Sequence, residues 1–174
     1  MLSINEKFTQ IYNGYYSIIY RYFFYKTGDK QSTEDLTAET FLKAYINFEK
    51  FDDKKAAVQT WLMTLAKNIY TDNYRKYKNQ IYSPEELLTE TPDTTDLEQE
   101  FLKADTYKIL YKAIGELNEQ EKNLIALKYS AELKNKEIAL IIGKSERHTA
   151  VMLGRTITKL KNILIKMGVD SYDE

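Results

Sequence analysis

Apolar side chains recur at three- and four-residue spacing along the first part of the chain, which is the pattern of amphipathic helices. The first predicted helix carries its apolar positions from Phe8 to Tyr22, and Gly28 offers a stop. A second helix is predicted to begin near Ser32, and a third begins near Val58 and becomes basic toward its end. The pattern therefore predicts an aromatic-rich helical bundle at the start of the chain.

The second part of the chain is also helical by the same criterion. Asn118 followed by Glu121 forms a capping pair that marks one helix start. No segment shows the alternating pattern of a β-strand, so the predicted fold class is all-α. The helices are expected at residues 97–114, 119–129, 136–142 and 145–167.

The formal net charge of −1 conceals a division along the 174-residue chain. Residues 1–80 and 106–174 each carry a charge of +3, whereas residues 81–105 carry −7. Two mildly basic segments are thus separated by an acidic one.

The acidic segment also has the composition of a linker. It holds both prolines, Pro84 and Pro92, and a run of Thr, Asp and Glu. We predict two small helical domains, the N-terminal block (residues 1–80) and the C-terminal block (residues 97–174), joined by a flexible acidic linker at residues 81–96. The alternative is one domain with a long surface loop.

The composition excludes several kinds of chemistry. With no Cys and only His148, the chain cannot build Cys-ligated zinc, a Cys nucleophile or a multi-His metal site. No spacing of Asp and Glu indicates catalysis, so we expect no enzyme, catalytic residue, metal or cofactor. The apolar stretches are too short for membrane insertion, and the first residues lack the features of a secretory signal. A reducing cytoplasm is the expected location.

The C-terminal block contains the pattern of a helix-turn-helix. A short helix ends at Gly143, which suits a positive φ, and Ser145 can cap the next helix. The inward stripe of that helix is predicted to contain Thr149, Leu153, Ile157, Leu160, Leu164 and Met167. Residues 134–166 carry a charge of +6, which suits contact with phosphates. A plain solvated helical hairpin is the alternative for this segment.

The N-terminal block has two further features. Asp35 and Glu39 share one helix face and form an acidic patch that a basic partner could contact. Residues 61–78 alternate aromatic with basic side chains, the combination that binds single-stranded DNA.

Several motifs in order resemble one protein family. In the N-terminal block these are EDLTAETFLKAY at residues 34–45, TWL at residues 60–62 and LAKNIYTDNYRK at residues 65–76. In the C-terminal block they are AIGELNEQEKNLIALKY at residues 113–129 and KEIALIIGKSE at residues 136–146. In this order and spacing the chain is similar to extracytoplasmic-function (ECF) RNA polymerase sigma factors, with region 2 followed by region 4.

The resemblance implies a transcription initiation factor whose region 2 binds core RNA polymerase and the minus-ten element of promoter DNA. The implied polymerase-binding residues are Asp35, Leu36, Glu39 and Phe41. The implied minus-ten residues, which open the DNA and hold a flipped base, are Phe51, Lys54, Lys55, Trp61, Asn68, Tyr74, Arg75, Lys76 and Lys78.

Region 4 of the family reads the minus-thirty-five element in the major groove. The implied residues are Ser145, Arg147, His148, Ala150, Val151, Arg155 and Lys159. The family commonly has basic residues where this chain has Ala150 and Met152, so its minus-thirty-five preference departs from the family pattern, and Ala150 and Val151 could contact thymine methyl groups. The resemblance also suggests an anti-sigma factor as a partner.

Two other functions fit parts of the pattern. A conventional helix-turn-helix regulator would bind duplex DNA alone, as a dimer on a palindrome, and would use the N-terminal block as a sensor or dimerisation domain. A helical adaptor would bind only protein, and its basic residues would be incidental.

Overall fold

The computed structural model describes the backbone of residues 3–77 and 97–169 and the side chains of residues 3–74 and 106–169. Within these ranges the chain is helical and contains no strand, which confirms the predicted all-α class. A short 3₁₀ turn (Phe48–Lys50) follows the second helix. The α-helices are α1 (Ile4–Thr27), α2 (Lys30–Asn47), α3 (Val58–Tyr77), α4 (Leu97–Gly115), α5 (Glu119–Tyr129), α6 (Asn135–Ile142) and α7 (Glu146–Lys166).

Local capping explains where the first helices begin and end. Gly28 closes α1 with a φ of 63°, and its N–H donates to the Phe24 carbonyl. Asp29 then caps α2 by accepting a hydrogen bond from the Ser32 N–H at 2.8 Å. Because Asp29 is the cap, α2 begins at Lys30, two residues before Ser32, near which the sequence pattern predicted the start.

The helix-turn-helix of the C-terminal block has the predicted geometry. The Asn118 and Glu121 side chains form a reciprocal capping box at the start of α5. Gly143 adopts a φ of 67° between α6 and α7, and the Ser145 side chain accepts from the His148 N–H at 3.2 Å. The sequence therefore encodes each of these boundaries locally.

The buried face of α7 differs from the predicted stripe, in which Ile157 and Leu164 are only partly buried. Thr149, Leu153 and Leu160 are buried as expected. Thr156 is also buried, because its hydroxyl donates to the Met152 carbonyl within the helix and so needs no solvent. Met167 is 38% exposed and lies at the C-terminal cap of α7.

The two blocks pack against each other. One hydrophobic cluster combines Phe23 and Leu62 of the N-terminal block with Leu127, Ile138 and Leu153 of the C-terminal block. Helix α5 packs on α1, and α6 packs on α3. The domain boundaries stay a prediction, and the predicted linker at residues 81–96 lies outside the described residues.

Across the helices that the structure describes, none combines the length and apolar character of a membrane span. The same residues contain no group of His, Asp or Glu side chains arranged to hold a metal ion.

Candidate functional site

The exposed face of α2 combines acidic and apolar side chains. Asp35, Glu39, Leu42 and Ile46 follow one another at three- and four-residue spacing, so they share one side of the helix, here called the α2 surface. Leu42 is 61% exposed and Ile46 is 68% exposed, although both are large apolar residues. An acidic patch beside uncovered apolar groups is typical of a protein-binding surface.

Sequence reasoning did not single out Leu42 and Ile46. Their spacing of seven and eleven residues from Asp35 was the signal that could have found them. The structure also places two of the predicted polymerase-binding residues inside the protein. Leu36 is fully buried and Phe41 is 4% exposed. These two side chains pack in the core beneath α2. Direct contact with a partner is therefore made by the residues of the α2 surface.

The segment between α2 and α3 is built around an aromatic cluster. The ring centroids of Phe51 and Trp61 lie 4.6 Å apart, and Phe48 lies 6.5 Å from each of them. Phe51 and Trp61 are partly exposed, so their rings are accessible at the edge of the bundle. Flat, partly exposed rings of this kind can stack on an unpaired base.

Cationic and polar groups surround this aromatic cluster. Lys54 and Lys55 are exposed in the loop before α3, where the Asp52 carboxylate accepts from the Lys54 N–H at 3.0 Å. Asn68 is exposed two helical turns after Trp61, on the same side of α3 and about 10 Å along the helix axis. The loop and this side of α3, here called the α3 surface, therefore offer stacking, charge and an amide at one edge of the molecule.

The remaining predicted minus-ten residues do not all join the α3 surface. Tyr74 lies on the opposite side of α3, where it contacts Tyr70 at a centroid distance of 6.1 Å and borders a cleft against α5. The structure thus separates Tyr74 from Trp61 and Asn68. Arg75 and Lys76 belong to the last turn of α3, but their side chains, like Lys78 as a whole, lie outside the described residues.

The first two turns of α7 present the side chains that a recognition helix requires. Ser145, Arg147, His148, Ala150 and Val151 are all exposed, and the buried Thr149 anchors the helix between them. Val151 is 49% exposed, which is unusual for a β-branched apolar residue without a partner. The exposed methyl groups and the two polar heads fit contact with base edges in a major groove.

Arg155 and Lys159 lie further along α7 and differ in their surroundings. Arg155 is exposed. Lys159 donates to the Glu121 carboxylate at 2.7 Å and forms an ion pair with it. Burial tends to raise the pKa of Glu121, but the bonds from Lys159 and from the Asn118 N–H outweigh burial and lower it. Lys159 thus stabilises the contact of α5 with α7, and a phosphate would have to compete with Glu121 for it.

Comparison with known proteins identifies the family to which these surfaces belong. The family model described as Sigma-70 region 2 matches residues 8–80. The ECF RNA polymerase sigma factor SigM of Bacillus subtilis is 30% identical over 166 residues, which cover 92% of this chain and 96% of SigM. The chain belongs to the ECF RNA polymerase sigma factors.

A second relative is also an ECF sigma factor, and a solved structure has a similar fold. The ECF sigma factor BldN of Streptomyces coelicolor is 28% identical over 160 residues, which cover 91% of this chain and 61% of BldN. The fold is similar to that of the sigma factor RpoE from Bartonella quintana in its complex with the anti-sigma factor NepR, with a TM-score of 0.69 and 17% identity. That match covers 95% of this ECF sigma factor and 99% of RpoE, so it includes the helices of both blocks.

Proposed function

We infer that this ECF sigma factor binds core RNA polymerase through the α2 surface, holds opened minus-ten DNA on the α3 surface and reads minus-thirty-five duplex DNA with α7. The observation that carries this assignment is the α2 surface. Its acidic residues belong to the EDLTAETF motif, and they lie beside two large apolar side chains that nothing in the described structure covers. A rigid helix face of this kind suits another helix with basic and apolar side chains.

Charge reversal on the α2 surface tests the docking assignment. Asp35→Arg and Glu39→Arg should each weaken binding to core polymerase at least about tenfold, because like charges across an interface are strongly unfavourable. Glu116→Arg is the matched control, since Glu116 is also exposed but lies in the C-terminal block. Equal affinities of all three variants and the unmodified chain in a core-binding titration would remove this assignment.

The two DNA surfaces are expected to act at different steps. Asn68→Ala should impair strand opening, because a pocket for an extruded base matters only after the strands separate. Arg155→Ala should weaken the closed complex, since contacts to duplex DNA act before melting. Permanganate footprinting measures opening, and gel-shift binding at low temperature measures the closed complex. Normal results for both variants in both measurements would contradict these roles.

The same proposal covers the enzymatic activity, the location and the regulation of the protein. We infer that it has no enzymatic activity of its own, that it acts in the cytoplasm where RNA polymerase operates, and that an anti-sigma factor regulates it. RpoE, whose fold is similar, forms a complex with the anti-sigma factor NepR, and this supports regulation by an anti-sigma factor. A conventional dimeric regulator would instead bind a palindromic duplex without polymerase, which a gel shift combined with a mass measurement in solution would reveal.

A further inference from the structure

The exposed side of α7 is apolar at two adjacent positions where a helix that reads DNA by hydrogen bonds would carry polar groups. Ala150 and Val151 are both exposed, and Val151 is 49% exposed. Together the two side chains present three methyl groups and no hydrogen-bond donor or acceptor. These positions therefore cannot distinguish base pairs by hydrogen bonding.

The packing of α7 fixes the side of the helix on which these methyl groups lie. Thr149 and Leu153, which flank them in the sequence, are 0% and 5% exposed, and the Thr149 hydroxyl donates to the Ser145 carbonyl at 2.9 Å. Helices α5 and α6 pack against α7. Ala150 and Val151 thus lie on the side of α7 that faces solvent, which is the side that a recognition helix presents to a major groove.

The structure separates the two positions at which the sequence departs from the basic residues common in the family. Met152 is only partly exposed and packs against the hydrophobic cluster that contains Leu153. Its apolar side chain therefore has a role in the fold. Ala150 is exposed and has no such role. The apolar groups that this turn offers to DNA are consequently those of Ala150 and Val151.

The chemistry of the major groove decides which base such methyl groups favour. Thymine presents a C5-methyl group there, whereas cytosine presents an amino donor and guanine presents two acceptors. Contact between the thymine methyl and an aliphatic side chain removes apolar surface from water on both sides. The same side chain against cytosine or guanine would leave a polar group without a partner, which is costly.

A cationic side chain precedes the methyl groups at a defined spacing. Arg147 is exposed and lies four residues before Val151, so the two side chains share one face of α7. Four residues rise by about 6 Å along a helix, which is close to two base-pair steps of ~3.4 Å. A guanidinium pairs best with the O6 and N7 acceptors of guanine. The face thus suits a guanine about two base pairs from a thymine.

We propose that α7 recognises thymine through its C5-methyl group, with Ala150 and Val151 as the specificity-determining residues and Arg147 on a guanine about two base pairs away. The inference rests on the proposed reading of duplex DNA by α7. It goes further because it names the chemical group that is read, which is a methyl group and not a pattern of donors and acceptors.

Exchange of thymine for uracil tests this contact on the unmodified protein. The complex of the protein with core polymerase first selects duplexes from a pool that is random upstream of the minus-ten element. Each thymine of the selected minus-thirty-five site is then replaced by uracil, which keeps the hydrogen-bonding groups of thymine and lacks the methyl. Replacement at a contacted position should weaken binding about fourfold, the ratio expected for one lost methyl contact.

A variant that lacks the protein side of the contact completes the test. Val151→Ala should bind the thymine and uracil duplexes equally at the position that Val151 contacts, because the methyl has lost its partner. Ile165→Ala is the matched control, since Ile165 is a 53% exposed apolar residue in the last turn of α7. It should keep the fourfold preference. Circular dichroism checks the helical content, and if Val151→Ala fails to fold, the uracil exchange on the unmodified protein still decides.

The outcomes separate this inference from the proposed function. A thymine whose exchange weakens binding of the unmodified protein but not of Val151→Ala supports the inference. Selected sites without a common thymine, equal binding of all thymine and uracil duplexes, or a thymine preference that is unchanged in Val151→Ala at every position would overturn it and leave the proposed function intact. A pool without any enriched sequence upstream of the minus-ten element would contradict the proposed reading of duplex DNA itself.

Discussion

The pKa of Lys26 depends strongly on the groups that surround its side chain. Burial lowers its pKa to about 8, Lys122 adds to this effect, and the Glu119 carboxylate opposes it. The cation is thus held in a site where its charged form is costly. Tyr22, Lys67, Tyr70 and Tyr74 are the other titratable groups that line the cleft. Such a residue specifies where the blocks dock more than it stabilises the fold.

The pKa of Lys26 predicts a dependence of stability on pH. Between about pH 8 and the usual lysine pKa near 10.4, the unfolded chain holds a proton that the folded chain has released, so the free energy of unfolding should rise with pH in this window. Above about pH 10 the buried tyrosines oppose this trend, because burial raises the pKa of Tyr22 and Tyr111 and they keep protons that the unfolded chain loses.

Urea denaturation of the unmodified chain and of Lys26→Met at several pH values tests this prediction. The variant lacks the titrating amine but keeps both tyrosines, so the difference in free energy of unfolding between the two proteins should change between pH 8 and pH 10 in favour of the unmodified chain. A difference that stays constant with pH would mean that Lys26 titrates as an ordinary surface lysine.

Other residues show the limit of reasoning from motifs at this scale. Leu36, Phe41 and Tyr74 lie within segments that resemble the family, yet Leu36 and Phe41 are buried and Tyr74 is on the far side of α3 from Trp61. A motif assigns a function to a whole helix turn. Which residues of that turn reach a partner depends on the neighbouring helices, which the motif does not contain.

Helix boundaries could be predicted because their causes are local. Gly28, Asn118, Gly143 and Ser145 each act through backbone groups within a few residues, and each has the predicted role in the structure. The start of α2 lies two residues before Ser32, because Asp29 accepts the hydrogen bond from the Ser32 N–H and acts as the cap. Local capping therefore predicts the helix boundaries, except where two neighbouring residues could each cap the helix.

Two glycines inside helices allow a matched prediction. Gly14 in α1 and Gly154 in α7 are both exposed, and a methyl group at either position would meet nothing within 4 Å. Gly14→Ala and Gly154→Ala should each raise the free energy of unfolding by about 1 kcal/mol, because alanine is the better helix former. Urea denaturation measures both values.

Only one of the two substitutions should affect DNA binding. Gly154 follows Ala150 and Val151 on the exposed side of α7, where the absence of a side chain lets a DNA backbone approach closely. Gly154→Ala should therefore weaken binding of the polymerase complex to promoter duplex, whereas Gly14→Ala should not. Equal binding by both variants in a gel shift would show that Gly154 is merely an unoptimised helix residue.

The docking of the two blocks is the part of the molecule that the sequence did not predict. Lys26 and Glu119 are 93 positions apart, and each had an ordinary local explanation, Lys26 as a base near a helix end and Glu119 as an acid at a helix start. Charge and composition predict two blocks and a connector. They carry no information on whether such units touch, since that depends on shape and on pairs of residues far apart in sequence.

The interface predicts how the protein behaves when its connector is cut. Because residues 81–96 are acidic, polar and contain both prolines, limited proteolysis should cleave there first and leave two helical fragments. The shared hydrophobic cluster and the ion pair between Lys26 and Glu119 should then keep the fragments together, so they should elute as one species under native conditions and separate only in denaturant. In Glu119→Lys the same cut should release two separate fragments, because the introduced cation repels Lys26 across the interface.

Immediate separation of the fragments from the unmodified chain would mean that the blocks do not bind each other, and first cleavage within α3 would mean that the predicted division of the chain is misplaced.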